Sequence, residues 1–304
     1  MIDPLLGASL LVLGGGVSWA LSRWFAERAA RWGYSDAPNP DVITHRRPVP
    51  LLGGVAMFVG FIPLLLLLAL RDPSARGFLG GVVVVCALGL HKDTVRRHRT
   101  PAPVALGQAG IQCAATLLVV LALPGIALWG VVALAIGGGL LINAWNWVDV
   151  SDGLAGALGV VSASAAALAG LFLGDPTTTW VAAGLAVVLL AFLHQNRPPA
   201  RIFMGDVGSF LIGLTMGFLM LRLAGPLRPA YKPAVLALSA VPLLDLAFTL
   251  TARTAARLPP WRGDHRHLSL TLLRRGWTPL RLLTVACVAS SAALSLVGVV
   301  LAVA

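Results

Sequence analysis

The chain has 304 residues, of which 58% are hydrophobic and 12% are charged, and its mean hydropathy is +0.86. Soluble globular domains carry about 25% charged residues, so this composition excludes a water-soluble domain and predicts a membrane protein. The net charge of +11 then reflects basic loops and anionic lipid headgroups, or an anionic phosphate-bearing substrate, rather than nucleic acid.

Long apolar runs predict the membrane spans. A bilayer core about 30 Å thick needs roughly 20 apolar helical residues, and ten runs are candidates: 4–24, 50–70, 77–91, 104–123, 126–146, 154–173, 178–194, 208–224, 233–252 and 280–302. The first run has only Asp3 ahead of it and no cleavage site, so we interpret it as a retained span and not as a signal peptide. The predicted fold is an all-α, polytopic membrane helical bundle with about ten transmembrane helices, forming a single domain over 1–304.

The positions of Lys and Arg predict the orientation in the membrane. Sixteen of these residues fall in four loops, 25–49, 92–103, 195–207 and 253–279, and five fall on the opposite side. Short loops rich in Lys and Arg stay cytoplasmic. We therefore expect a plasma-membrane protein with these loops in the cytoplasm and both termini outside. The three cysteines lie inside apolar runs and are interpreted as small hydrophobic residues, without a disulfide or a metal site.

The end of the fifth span carries four polar residues that recur every three positions: Asn143, Asn146, Asp149 and Asp152. On a helix with 3.6 residues per turn, each such step drifts about 60° around the axis. The four cannot share one face of a continuous helix, and we expect the helix to end between Val150 and Gly153. Helix capping accounts for one such residue, whereas several together at a span end are typical of a functional site.

Two later loops supply candidate metal and phosphate ligands. Asp206 stands between Gly205 and Gly208, where the backbone approaches a ligand closely. Because Mg²⁺ takes one or two carboxylates together with substrate phosphates, we predict that Asp206 binds Mg²⁺; the alternative is an N-cap of the eighth span. In the last loop, Arg266 and His267 have no Cys beside them, which favours a diphosphate over zinc.

Four motifs, in order between about Asp36 and Gly276, resemble the polyprenyl-phosphate N-acetylhexosamine-1-phosphate transferase family. They are His45-Arg-Arg-Pro-Val-Pro-Leu-Leu-Gly-Gly, the segment 143–154, Phe203-Met-Gly-Asp-Val-Gly-Ser, and Pro242-Leu-Leu-Asp245. The resemblance implies ten or eleven helices and a Mg²⁺-dependent transfer of a sugar-1-phosphate, expected to be that of an N-acetylhexosamine. The donor would be a UDP-sugar, the acceptor undecaprenyl phosphate in the bilayer, and the product released UMP, in cell-envelope polysaccharide synthesis.

The resemblance also implies roles for individual residues. These are Mg²⁺ binding for Asn146 and Asp206, uridine contact for Asn196 and Phe203, orientation of nucleotide and sugar for Asp149 and Asp152, and diphosphate contact for His267. Asn143 and Arg266 complete the expected substrate-binding residues. Homodimer formation is left open.

The chain departs from the family pattern in three places. Lys92 replaces the first acid of an Asp-Asp pair, so that Asp93 alone remains as a catalytic candidate beside the metal. His267 is followed by Leu-Ser-Leu where the family has further histidines, and Leu51 or Leu52 stands where an Arg is usual. We predict that Lys92 binds the lipid phosphate through a charge-assisted contact, the alternative being an ordinary basic loop residue.

Two other functions compete with the transferase. A catalytically degraded relative would bind lipid phosphate or nucleotide sugar without turnover. A transporter would need ionisable residues at mid-membrane and paired repeats, whereas Asp245 is the single acid predicted deep in a span and no repeat is evident in the sequence.

Overall fold

The computed structural model describes residues 2–36, 48–95, 102–261 and 265–303. Within these ranges the α-helices are α1 Pro4–Arg28, α2 Gly53–Ala69, α3 Pro73–Val95, α4 Ala102–Leu121, α5 Leu128–Val148, α6 Leu154–Phe172, α7 Pro176–Asn196, α8 Gly205–Ala224, α9 Ala240–Ala255, α10 Leu268–Arg274 and α11 Pro279–Val303. Two 3-10 helices, Ala29–Trp32 and Pro229–Ser239, follow α1 and precede α9, and β1 Ser35–Asp36 pairs antiparallel with β2 Val49–Pro50.

The predicted membrane bundle is confirmed, because each of the ten predicted spans coincides with a helix. Across the described ranges, nine helical segments are long and apolar enough to cross a membrane, one of which joins the second 3-10 helix to α9. The tenth, α2, is apolar but only 17 residues long. The predicted break after the fifth span is also confirmed, although α5 ends at Val148, slightly earlier than expected, and α6 begins at Leu154.

Helix α8 lies at the centre of the bundle. Of its apolar stretch 83% is buried, against 22% for α1, whose side chains remain available to lipid. α8 packs against α2, α3, α5 and α7, and its Phe218 stacks on Phe78 of α3 with 4.4 Å between ring centroids. Because its neighbours surround it, the position of the first turn of α8 is fixed from several sides.

Glycines allow the backbones to approach closely at the first turn of α8. A Cβ on Gly89 of α3 would lie 2.6 Å from the backbone nitrogen of Val207, closer than real Cβ atoms come to other heavy atoms. Gly205 has a φ of +65°, which disfavours other residues, and a Cβ there would lie 2.5 Å from a carboxylate oxygen of Asp93. Side chains from α3 therefore reach the beginning of α8 directly.

The opposite end of α8 is held by an ion-pair cluster around Arg222. Its guanidinium donates through Nε to Asp175 Oδ2 at 3.0 Å, through Nη1 to Asp72 Oδ2 at 3.1 Å and to Ser74 Oγ at 2.8 Å, and through Nη2 to Asp175 Oδ1. Asp72 lies between α2 and α3, and Asp175 caps α7. One arginine thus joins the end of α8 to the α2–α3 and α6–α7 connections.

Candidate active site

Asp206, in the first turn of α8, is the centre of a polar cluster contributed by three helices. Its Oδ1 accepts a hydrogen bond from Asn146 Nδ2 of α5 at 2.6 Å, and its Oδ2 lies 2.9 Å from Lys92 Nζ of α3. Asn146 Nδ2 also donates to Ser209 Oγ at 2.9 Å, a contact that the sequence interpretation missed. The alternative interpretation of Asp206 as the N-cap of this helix is wrong, because α8 begins at Gly205 and Met204 is its N-cap.

Asp93 caps α8 from the neighbouring helix. Its Oδ1 accepts from the backbone nitrogen of Asp206 at 3.1 Å, and its Oδ2 from that of Val207 at 3.5 Å. A carboxylate is favourable at a helix N-terminus because the first backbone N–H groups have no partner within the helix and the helix dipole is positive there. Asp93, which is buried, thus anchors α3 to α8 next to the proposed metal ligand, and its catalytic role stays a prediction.

Asp149 lies where the chain leaves α5 and is half-buried. Burial, together with the negative charges of Asp206, Asp93 and Asp152, raises the pKa of Asp149 to about 7. The carboxyl group of Asp149 therefore lies within the range of electrostatic repulsion from these three carboxylates. Repulsion of this kind is relieved by a bound cation.

The donor groups at Asp206 fit a hard divalent cation. No group of three or more His, Cys, Asp or Glu residues in the described part of the chain could enclose a metal ion. Mg²⁺ does not need such a cage, because it keeps several waters and is commonly bound by one or two carboxylates together with substrate phosphates. Asp206 and the amide oxygen of Asn146, with other carboxylates close by, are such a set.

Two predicted substrate-binding amides are engaged by other groups of the protein. Asn143 Nδ2 donates to Gln112 Oε1 of α4 at 2.6 Å. Asn196 is buried; its Nδ2 donates to the Ile202 carbonyl at 2.8 Å, and its Oδ1 accepts from the Gly153 backbone nitrogen at 3.0 Å. Asn196 therefore connects the α7–α8 loop to the beginning of α6, and the roles of both residues in substrate binding stay predictions.

The α7–α8 loop, 197–204, is fixed along both sides. Asp152 Oδ2 accepts from the Ala200 backbone nitrogen at 2.9 Å on one side. On the other, the Phe203 backbone nitrogen donates to the Pro50 carbonyl at 2.7 Å, and the Gly53 nitrogen donates to the Phe203 carbonyl at 3.0 Å. The loop thereby holds the half-buried Phe203 three residues before Asp206, while its stacking on uridine stays a prediction.

His267 belongs to a second polar cluster, which α9 holds in place. Its Nδ1 lies 3.0 Å from Asp245 Oδ2 and 3.4 Å from Thr249 Oγ1, and Asp245 Oδ1 accepts from the Ser269 backbone nitrogen at 3.4 Å. Asp245, Thr249 and His267 are all buried. Since Asp245 contacts Nδ1, the other ring nitrogen, Nε2, is the one that a diphosphate would meet.

Arg253 and Trp147 connect the two clusters. Arg253 lies one further turn along the same face of α9, and its guanidinium carbon is 4.4 Å from the ring centroid of Trp147, whose ring meets that of His267 edge to face at 6.0 Å. Trp147 follows Asn146 directly in α5. The i, i+4, i+8 spacing of polar residues on α9 was the sequence signal for this face, and the sequence interpretation did not use it.

Some predicted residues lie elsewhere. Arg266 is exposed beside His267, and its role in phosphate binding stays a prediction. The first-loop motif begins at His45, outside the described residues, and its last residues, Gly53 and Gly54, begin α2.

Comparison with known proteins agrees with the motifs. The sequence profile described as glycosyl transferase family 4 matches residues 75–224. The decaprenyl-phosphate N-acetylglucosaminephosphotransferase of Mycolicibacterium smegmatis is 31% identical, over 86% of this chain and 73% of the relative. The protein of the same name from Mycobacterium tuberculosis is 31% identical, over 79% of this chain and 69% of the relative. The undecaprenyl-phosphate alpha-N-acetylglucosaminyl 1-phosphate transferase of Yersinia pestis is 28% identical, over 90% of this chain and 78% of the relative. This chain therefore belongs to glycosyl transferase family 4 and is a multi-pass membrane enzyme.

Proposed function

We propose that this protein transfers N-acetylglucosamine-1-phosphate from a UDP-sugar to a polyprenyl phosphate and releases UMP. The names of its relatives support the acceptor and the transferred group. The observation that carries the proposal is the cluster of Asp206, Asn146 and Lys92, with Asp93 beside it, at one end of the bundle. A water-soluble sugar nucleotide and a lipid phosphate can meet only at such an interface.

The reaction brings together two anionic phosphate groups, whose repulsion must be offset. A Mg²⁺ ion held by Asp206 and Asn146 would supply a Lewis acid for the diphosphate of the donor. Lys92 supplies a positive charge at the same place, and His267, oriented by Asp245, presents Nε2 to the diphosphate. Phe203 offers a ring for the uracil, and Asp149 and Asp152 orient nucleotide and sugar.

We place this end of the bundle in the cytoplasm, because sixteen Lys and Arg residues are predicted in the loops on this side and five on the other. Two exposed positions test the orientation: Ala256, after α9, and Pro226, after α8. In intact cells, a membrane-impermeant maleimide is expected to label Pro226→Cys and to leave Ala256→Cys unlabelled until the membrane is opened. The reverse pattern would overturn the assignment.

Turnover is tested with the purified protein in detergent, UDP-N-acetylglucosamine, Mg²⁺, and either undecaprenyl or decaprenyl phosphate. We expect UMP release that depends on the lipid phosphate and that Asp206→Asn removes. Asp3→Asn is the matched control, because Asp3 caps α1 at the other end of the bundle and Asn caps a helix equally well. A panel of other UDP-sugars then defines the donor.

A catalytically degraded relative is the second candidate function. The observation that favours it is Lys92, which replaces a family acid and pairs with the proposed metal ligand. This candidate predicts that the protein binds the lipid phosphate or the UDP-sugar without UMP release, and that Lys92→Asp restores release. UMP release by the native protein would exclude it.

A further inference from the structure

Both carboxylate oxygens of Asp206 have partners within the chain. Asn146 Nδ2 donates to Oδ1, and Lys92 Nζ lies at ion-pair distance from Oδ2. The proposed ligand of a divalent cation therefore already holds one positive charge. A second cation cannot approach Oδ2 closely while the ammonium stays there, because like charges a few ångströms apart repel strongly where solvent screening is weak.

The ammonium group of Lys92 is held in place and is not simply a mobile loop charge. It lies 4.7 Å from the ring centroid of Phe210, one turn further along α8, which adds a cation–π contact. The side chains of Lys92 and Asp206 are 22% and 21% exposed, so water screens their attraction only in part. The close approach of α3 to α8 at Gly89 brings the base of the lysine within this reach.

An ammonium displaced from Asp206 needs another anion. The adjacent Asp93 is buried and accepts hydrogen bonds from two backbone nitrogens of α8. Moving Asp93 to serve Lys92 would leave those N–H groups without partners. A phosphate group from outside the protein offers several acceptor oxygens for an ammonium and leaves the hydrogen bonds of Asp93 in place.

We propose that Lys92 is an internal counter-ion of Asp206 that couples the binding of a divalent cation to the binding of a phosphate. The cation displaces Lys92 from Asp206, and the phosphate then receives the displaced ammonium. Cation binding alone is weakened by the cost of breaking the ion pair, and the phosphate removes part of that cost. The inference rests on the proposed function for Asp206 as the cation ligand and for the choice of a polyprenyl phosphate as the probe.

Direct binding of Mn²⁺, measured from the free-ion signal in electron paramagnetic resonance, tests the proposal without turnover. The proteins are the native chain, Lys92→Met, which keeps the length of the side chain and removes its charge, and Lys232→Ala. Lys232 is the other lysine of the chain, is exposed, and lies in the 3-10 helix that begins at the opposite end of the bundle. Asp206→Asn measures Mn²⁺ that binds elsewhere.

We expect Lys92→Met to bind Mn²⁺ about tenfold more tightly than the native protein, the size of effect expected for a charge-assisted contact of about 1.4 kcal/mol. Lys232→Ala should match the native protein. Farnesyl phosphate should tighten Mn²⁺ binding at least fivefold more in the native protein than in Lys92→Met. If Lys92→Met is poorly folded, as judged by its melting temperature, Lys92→Gln replaces it in the same comparison.

Equal Mn²⁺ affinity in the native and Lys92 variants, or equal tightening by farnesyl phosphate, would overturn the proposal. UMP release is measured separately on the same preparations. Absence of UMP release together with the expected Mn²⁺ results would reject the proposed transferase activity and leave the counter-ion role standing. Normal UMP release with unchanged Mn²⁺ affinities would support the transferase activity and reject the counter-ion role.

Discussion

Replacing Arg222 with Gln is expected to destabilise the protein while leaving its substrate affinities unchanged. The change removes a hydrogen bond to Ser74 and the ion pairs to Asp72 and Asp175, whose side chains are only 21% and 18% exposed. Removing one partner of a buried pair costs about 3–5 kcal/mol. Because the side chains of this cluster are partly exposed and water screens their charges, we expect the free energy of unfolding to fall by about 2–4 kcal/mol. Arg222 lies sixteen residues after Asp206, about 24 Å along α8.

The assay is thermal unfolding of the detergent-purified protein, with Arg228→Gln as the matched control. Arg228 is exposed near the same end of the bundle, and its loss should leave the melting temperature unchanged. Arg222→Gln should lower it by roughly 4–16 °C, given about 2–4 °C per kcal/mol for chains of this order of size. A drop no larger than that of Arg228→Gln would show that desolvation of the three charges cancels their attraction.

The dependence of this difference on pH gives an independent check. Burial alone would raise the pKa of Asp72, but hydrogen bonds from Thr177 and Ser74 and the charge of Arg222 bring it below its usual value. The pKa of Asp175 is lowered likewise, against burial, by hydrogen bonds from Arg222 and Thr178. Since both values are lower in the folded state, the stabilisation is fully present above the ordinary carboxyl pKa of about 4. It is lost as pH falls through the lowered pKa values, so the two melting temperatures should begin to converge as pH falls below about 4. A difference that does not shrink as pH is lowered from 4 would contradict the ion-pair explanation.

Three further changes test the active site. Asp206→Asn should lower the rate of UMP release at least 100-fold while the melting temperature stays within a few degrees, because the amide keeps the size of the side chain but cannot balance the charge of a cation. Near-normal turnover would refute the metal assignment. Phe203→Ala should weaken UDP-sugar binding by about 1–3 kcal/mol, measured by calorimetry, as expected for a lost stacking contact; unchanged affinity would exclude stacking. Asp245→Asn should lower kcat about 10–100-fold with little change in KM, because His267 loses the carboxylate that orients it; a change in KM alone would mean that the histidine only binds substrate.

The span pattern could be predicted because it depends on local composition. A run of about 20 apolar residues is long enough to cross a bilayer wherever it occurs in the sequence. In the described part of the chain, nine of the ten runs coincide with helical segments that are long enough to span, and the tenth coincides with the shorter α2. The boundaries were less accurate. The predicted seventh span began at 178, whereas α7 begins at Pro176 because Asp175 caps it.

The active site could be predicted only in part, because its contacts join residues distant in sequence. The four-residue series at the end of α5 indicated that the helix breaks there, which the structure confirms, while the functional role of the four residues stays a prediction. It could not show that Asn146 points to Asp206, 60 residues away, while Asn143 points to Gln112 on α4. Likewise, Asp245 and His267 each stood out, but their contact depends on how the chain returns from α9 to α10. Such pairings are set by helix packing, which apolar periodicity does not encode.

The central position of α8 has a consequence for how the protein is made. Helices α1 to α7 leave the ribosome before α8 does, and among them α2, α3, α5 and α7 form the space that it fills. Until α8 inserts, Asn146 and Asp93 lack the partners that they have in the finished bundle, and their polar groups are costly in lipid. The insertion of α8 brings Asp206 into contact with both, so the packing of the central helix and the Asp206 cluster are completed in one step, before α9 and α10 add Asp245 and His267.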